Sequence, residues 1–197
     1  MLPLPFPSHW IFDMDGTLTR PVHDFDAIRK RLGLAEGKPI LETLAELPPS
    51  EAAELHGQLE AIEQDLAERG QAWPEVADVL GKLAARGAQL GILTRNTHSL
   101  ARITLDAAGL SSFFEPTTIL GRKDAEPKPS PAGVQRLLAQ WDCKAEDTVV
   151  VGDYLFDLQA GRAAGCRTVL VDREGHGQWR DWADEVVPSF HPFVEAL

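Results

Sequence analysis

Asp13 and Asp15 stand one residue apart at the end of an apolar run, in Trp10-Ile11-Phe12-Asp13-Met14-Asp15-Gly16-Thr17. At that spacing two carboxylates lie on the same side of an extended chain and repel each other. An ionised carboxylate is a nucleophile that needs no base. A neighbour kept protonated by crowding and burial is a general acid. Gly16 allows a tight turn that brings backbone N–H groups toward an anion, and Thr17 follows at once. Three later segments carry complementary groups. Thr94-Arg95-Asn96 offers a hydroxyl, a guanidinium and an amide, and Lys128 sits between Pro127 and Pro129. Asp153 and Asp157 are one helical turn apart in Gly152-Asp153-Tyr154-Leu155-Phe156-Asp157. Four carboxylates brought together call for cations, and Mg²⁺ suits a cage of carboxylate, carbonyl and water oxygens. A lysine is a compact charge that can hold both a carboxylate and a phosphoryl group.

Such groups act together only if the chain brings them to one place. Five short apolar runs stand out: residues 9–12, 89–93, 117–120, 148–151 and 167–171. Their continuous, non-alternating character predicts strands buried on both faces. Between the later runs, residues 76–83, 99–108, 131–141 and 157–164 have helical spacing, the first with Trp73-Pro74 at its start and Gly87 past its end. Alternating strand and helix predicts a parallel sheet with helices on both faces. In such sheets ligands gather outside the carboxyl ends of the strands. Each of the four segments follows one of the first four runs, the lysine by a few residues more than the others.

Residues 21–72 are different. They hold no convincing strand, and 24–34, 39–47 and 50–69 read as helices, the last with Leu55, Leu59, Ile62 and Leu66 at spacings of three and four. A simple crossover needs about a dozen residues, so a helical insertion is expected here, leaving residues 1–20 and 73–197 as the core domain. No internal repeat or low-complexity linker is visible.

The net charge is −11, and the 19 Lys and Arg residues are spread along the chain. Phosphate-backbone binding draws on clustered basic residues, so nucleic acid is not an expected partner. An acidic surface also repels anionic membranes, and no apolar run approaches the ~20 residues that span a bilayer. The opening, MLPLPFPSHW, has neither a basic n-region nor an apolar h-region. It reads as an extended lead-in to the first strand. Cys143 and Cys166 lack metal-ligand spacing and read as reduced thiols of a cytoplasmic protein.

In this order, the four segments resemble the four motifs of the haloacid dehalogenase superfamily, in its phosphatase branch. Asp13-Met14-Asp15-Gly16-Thr17 is similar to the first motif, DxDGT. Thr94 is similar to the hydroxyl residue of the second, Lys128 to the lysine of the third, and Gly152 to Asp157 to the acidic fourth, GDxxxD. The resemblance spans residues 10 to 172 or so. It implies an α/β fold, a Rossmann-like three-layer sandwich with parallel strand order 5-4-1-2-3. The insertion then resembles the small helical cap of phosphoglycolate phosphatases and β-phosphoglucomutases. It further implies a Mg²⁺-dependent phosphatase that hydrolyses a small phosphorylated metabolite through an aspartyl-phosphate. Asp13 would be the nucleophile and Asp15 the acid and base. Asp13 and Asp153 would be direct metal ligands with the backbone carbonyl of Asp15, and Asp157 would bind a metal-bound water or orient Lys128. Thr94 would donate to a phosphoryl oxygen, with Gly16, Thr17, Arg95, Asn96 and Lys128 in the substrate-binding set.

Taken singly, the same residues have plainer readings. Asp153 and Asp157 fit a helix N-cap and a solvated helix face, Lys128 a surface loop, and Thr94 a strand-end cap. Their joint occurrence at four strand ends separates the readings. Arg95 intervenes where the second motif often has Asn, so it has two readings, a charge beside the phosphate or a side chain in solvent. Arg20, His23 and Lys38 are candidates for cap-to-substrate contact, with Gly37-Lys38-Pro39 as a loop that dips into the site or stays in solvent. His56 reads as a surface residue and Gly175-His176-Gly177 as a turn. Rival functions are a sugar phosphomutase of the β-phosphoglucomutase kind, a haloacid dehalogenase, which Asp15 and the fourth motif oppose, and a non-catalytic binding protein. The expected assembly is a monomer or weak homo-oligomer.

Overall fold

The computed structural model describes residues 7–22 and 24–191. The candidate residue His23 and most of the expected lead-in lie outside the described residues. Six strands form one parallel sheet: β1 (His9–Phe12), β2 (Gln89–Leu93), β3 (Ile119–Leu120), β4 (Thr148–Gly152), β5 (Arg167–Val171) and β6 (Glu185–Val187). Their order is β3-β2-β1-β4-β5-β6. Read from the other edge, this is the expected 5-4-1-2-3 with a sixth strand added beside β5. That strand has only three residues, with Val186 and Val187 its sole apolar ones, too short for a periodic signal. The run at 117–120 yields a shorter strand than expected. Pro116–Thr118 forms a 3-10 turn in which the Thr118 hydroxyl donates to Leu90 O at 2.9 Å.

Four helices cover the sheet, α4 (Val76–Ala85), α5 (His98–Ala107), α6 (Ala132–Trp141) and α7 (Leu155–Ala163). Alternation along β1 sends Trp10 and Phe12 to one face and Ile11 to the other. Trp10 and Phe12 pack with Leu80 and Leu83 of α4, Leu105 of α5 and Phe190. Ile11 packs with Val134 and Leu137 of α6, Val150 and Ala160. Burial on both sides is the reason the strands read as continuous apolar runs rather than alternating ones.

Between β1 and α4 come α1 (Phe25–Arg31), α2 (Ile40–Ala45) and α3 (Pro49–Ala67), close to the three expected helical spans. Asp24 caps α1, accepting from Ala27 N at 2.9 Å. Pro49 starts α3 where its missing N–H costs nothing. Ile28, Leu32, Ile40, Leu44, Leu59 and Ile62 make a cluster of their own, apart from the two that flank the sheet. Three ion pairs join this unit to loops at the carboxyl ends of the strands: Glu42 with Arg95, Glu60 with Lys123, and Glu63 with Arg122. The helical unit therefore sits over the carboxyl end of the sheet, from which the motif residues emerge.

Candidate active site

Strand β1 pairs with β2 on one side and β4 on the other, so its end lies in the middle of the sheet. Asp13 is the first residue beyond it, and its N–H donates to Val151 O of β4 at 2.8 Å. The chain then turns sharply. The N–H groups of Leu18 and Thr19 both donate to Met14 O at 2.9 Å, while Met14 and Leu18 are fully buried and anchor the turn. Gly16 is required here twice over. Its φ is +86°, and a Cβ would lie 2.2 Å from Asp153 Oδ2. The turn thus presses its backbone against the fourth acidic segment.

Asp153 follows β4 directly, and the Thr17 hydroxyl donates to its Oδ1 at 3.0 Å. Asp157 lies in the first turn of α7, where its Oδ2 accepts from Tyr154 N at 3.1 Å, so it is a helix-end cap as well as a site acid. Gly152 permits this approach, since a Cβ there would lie 2.3 Å from Asp157 Cβ. The Lys128 ammonium, only 4% exposed, donates to Asp13 Oδ1 at 2.6 Å and to Asp157 Oδ1 at 2.5 Å. Asp13, Asp153 and Asp157 each bring a carboxylate oxygen within 4.8 Å of the others.

The electrostatics follow from that crowding. Burial, and then the Asp13 charge, push the Asp15 carboxyl up to about 7, while Lys128 and a hydrogen bond from Asn96 pull the other way. Burial, with Asp13 and Asp157 adding to it, also raises Asp153 above the usual carboxylate range. Asp157 is raised by burial despite Lys128 beside it. Burial works against the charged form of Lys128, yet the Asp13 and Asp157 carboxylates overcome it and raise its pKa. Four carboxylates and one ammonium therefore meet at this end of the sheet. An all-oxygen donor set with more negative charge than Lys128 can match fits a hard divalent cation.

The second motif meets the same point from β2. Thr94 is 3% exposed, with its N–H bonded to Leu120 O at 3.0 Å and its hydroxyl accepting from Asn96 N at 3.1 Å. Asn96 Nδ2 donates to Asp15 Oδ2 at 2.8 Å, so Asn96 faces the acid. Arg95 turns toward the helical unit. It pairs with Glu42 of α2 at 2.5 Å and its guanidinium lies 5.0 Å from the Phe156 ring centre. A cavity of about 440 Å³ opens between the acids and the helices, lined by Asp13, Asp15, Thr94, Arg95, Asn96, Lys128, Asp153 and Asp157 among others.

Gly37, Lys38 and Pro39 reach the cavity wall, with Lys38 paired to Glu46 at 3.2 Å. Other candidates lie elsewhere. Thr17 is fully buried behind Asp153, and neither it nor Gly16 lines the cavity. Arg20 lies over the Trp73 ring at 5.1 Å, and His56 sits on α3 off the cavity wall. Gly175-His176-Gly177 is a turn closed on Asp172, whose carboxylate accepts from His176 N and Gly177 N at 3.1 and 2.7 Å. Sequence reasoning missed Glu63 and Arg122, which form a two-pronged pair at 3.0 and 2.8 Å in the cavity wall. Glu63 had a signal, since it falls four residues after Leu59 on the apolar stripe of α3.

Comparison with known proteins agrees with this geometry. A family model described as haloacid dehalogenase-like hydrolase matches residues 26–171. An uncharacterised hydrolase of Saccharomyces cerevisiae is 29% identical over 95% of this chain and 89% of its own length. A phosphoglycolate phosphatase of Shigella flexneri is 28% identical over 93% of this chain and 72% of its own length. Among solved structures, a haloacid dehalogenase-like family hydrolase from Streptococcus pneumoniae aligns with TM-score 0.78 at 19% identity, over 96% of this chain and 98% of that one. This last likeness is one of fold.

Proposed function

We propose that this chain, which belongs to the haloacid dehalogenase-like hydrolase family, is a Mg²⁺-dependent phosphatase of small phosphate monoesters that works through an aspartyl-phosphate on Asp13. The observation that carries the reading is the meeting of Asp13, Lys128, Asp153 and Asp157 at the carboxyl ends of three strands, with Asp15 beside them pushed up to about 7. The phosphatase name of a relative supports the reaction class. The helical unit, residues 21–72, serves in this reading as a cap that excludes bulk water.

In the first step an Asp13 carboxylate oxygen bonds to phosphorus as the bond to the leaving oxygen breaks. Lys128 holds the nucleophile in place through its 2.6 Å bond. Asp15, half-protonated near pH 7, gives its proton to the leaving oxygen. In the second step a water attacks phosphorus, Asp15 takes the proton back, and the bond to Asp13 breaks to release phosphate. Asn96 orients Asp15 for both transfers, and Thr94 offers a hydroxyl to a phosphoryl oxygen. Asp13, Asp153 and Asp157, with the Asp15 carbonyl, would hold Mg²⁺, which when bound neutralises charge on the phosphoryl oxygens. The cation's presence also suits a site whose acids outnumber its lysine.

Purified protein with Mg²⁺ is expected to release phosphate from some members of a broad monoester panel, and an Asp13→Asn variant from none. Absence of release across the panel, or wild-type rates in Asp13→Asn, overturns the proposal.

A further inference from the structure

The chemistry above uses only the acid end of the cavity. At about 440 Å³ the space takes an organic leaving group as well as a phosphoryl group. Its helical side carries Ile28 of α1, Ile40 and Leu41 of α2, and Leu59 of α3, beside Arg29, Lys38 and Glu63. At the mouth stand Phe25 and Tyr154, 56% and 47% exposed, two of the three large hydrophobic side chains left exposed among the described residues. Tyr154 packs edge-on against Phe156, itself in the cavity wall, with ring centres 5.1 Å apart. Exposed aromatic faces at a cavity mouth gain from being covered by a ring.

The basic residues around the same space are already matched with acids. Arg122 grips Glu63 with both prongs, and both side chains are buried. Arg95 pairs with Glu42 at 2.5 Å. Arg29 pairs with Asp26 at 2.6 Å and donates to Lys38 O at 3.2 Å, and Lys38 pairs with Glu46 at 3.2 Å. Lys128 is held between Asp13 and Asp157. A second anion on the substrate would have to displace one of these carboxylates and would face Glu63 and the acid cluster. The Arg122–Glu63 pair is buried, so separating it strands a charge, whereas Arg29 and Lys38 pair with exposed carboxylates at the rim. An unmatched anion against the apolar side chains is costly to desolvate.

We propose that the site takes phosphate monoesters whose leaving group is uncharged and carries an apolar ring, and that it disfavours leaving groups bearing a second anion. This inference rests on the phosphatase reading above. The test is a matched pair, benzyl phosphate and 4-carboxybenzyl phosphate, which differ by one remote charge. Benzyl phosphate should have the higher kcat/KM by about tenfold or more, with phosphoglycolate and pyrophosphate both below it. Glu42→Gln, which releases Arg95, should narrow the gap. Phe156→Ala should lower kcat/KM for benzyl phosphate more than for methyl phosphate.

Equal or better turnover of 4-carboxybenzyl phosphate, phosphoglycolate or pyrophosphate by the wild-type protein overturns the inference alone. An unchanged gap in Glu42→Gln removes the ion-pair argument, and equal losses in Phe156→Ala remove the ring contact. Hydrolysis of none of these compounds, with release from other members of the broad panel, overturns this inference alone, and absence of release across the whole panel overturns the phosphatase reading with it.

Discussion

Replacing Lys128 by methionine keeps most of the apolar stem, one heavy atom shorter, and removes its charge. The ammonium is buried and bonded to Asp13 at 2.6 Å and to Asp157 at 2.5 Å. Its loss leaves two buried carboxylates without their countercharge. Removing one partner of a buried pair costs about 3–5 kcal/mol. For a chain of this size that corresponds to a fall in Tm of about 6–20 °C. The assay is thermal unfolding in EDTA at pH 8 and again at pH 5. Lys128 has a raised pKa in the fold, above an ordinary value already far above pH 8, so its own contribution is constant across this window. The pH dependence comes from the carboxylates. Asp157 has a raised folded pKa, so the fold loses stability as pH climbs from the ordinary carboxylate range through the raised value. The variant's deficit should therefore be large at pH 8 and shrink at pH 5, where Asp157 takes up a proton. A Tm within about 2 °C of wild type at pH 8, or the same deficit at both pH values, would refute the charge-matching argument.

Asp15→Asn should slow alkyl phosphates by about 10²–10⁴-fold, the usual worth of a general acid, and aryl phosphates far less; equal losses in steady-state kinetics would contradict the acid role. Gly16→Ala places a Cβ against Asp153 at a φ of +86°, so it should cost about 1–3 kcal/mol in urea unfolding and most of the activity. Metal-free wild-type protein should lose stability as pH rises from about 4 to about 7, from the ordinary carboxylate value to the folded one, because Asp15 with its pKa pushed up to about 7 prefers the proton in the fold. The slope approaches about 1.4 kcal/mol per pH unit for each such group. Asp15→Asn should flatten it in pH-dependent denaturation, and Mg²⁺ should offset the loss if the acids hold the cation.

Much of the sheet was legible because its strands are buried on both faces and carry unbroken apolar runs. Four of the five expected runs became strands with nearly the expected bounds. The sixth strand was not legible, since Glu185–Val187 owes its place to pairing with β5 rather than to any pattern of its own. The acids and Lys128 were readable as residue types at strand ends. Their partners were not, because those depend on how the helical unit lies over the sheet. Arg95 shows this well. Its sequence neighbours left a phosphate contact and solvent both open, and the fold places it in the cavity wall, paired with Glu42 and close to Phe156. Arg122 and Glu63 meet only across that contact, 59 residues apart in the chain, so neither position advertises the other. Thr17 and Asn96 gained definite partners, Asp153 and Asp15, that no spacing rule connects.

The central claim is a covalent phosphoryl group on Asp13. Rapid acid quench during turnover, followed by peptide mass spectrometry, tests it most directly. A phosphorylated peptide containing Asp13, absent from the Asp13→Asn variant and lost on chase with unlabelled substrate, is the predicted result. Sustained turnover with no phosphorylated peptide, or with the label on another residue, would contradict it.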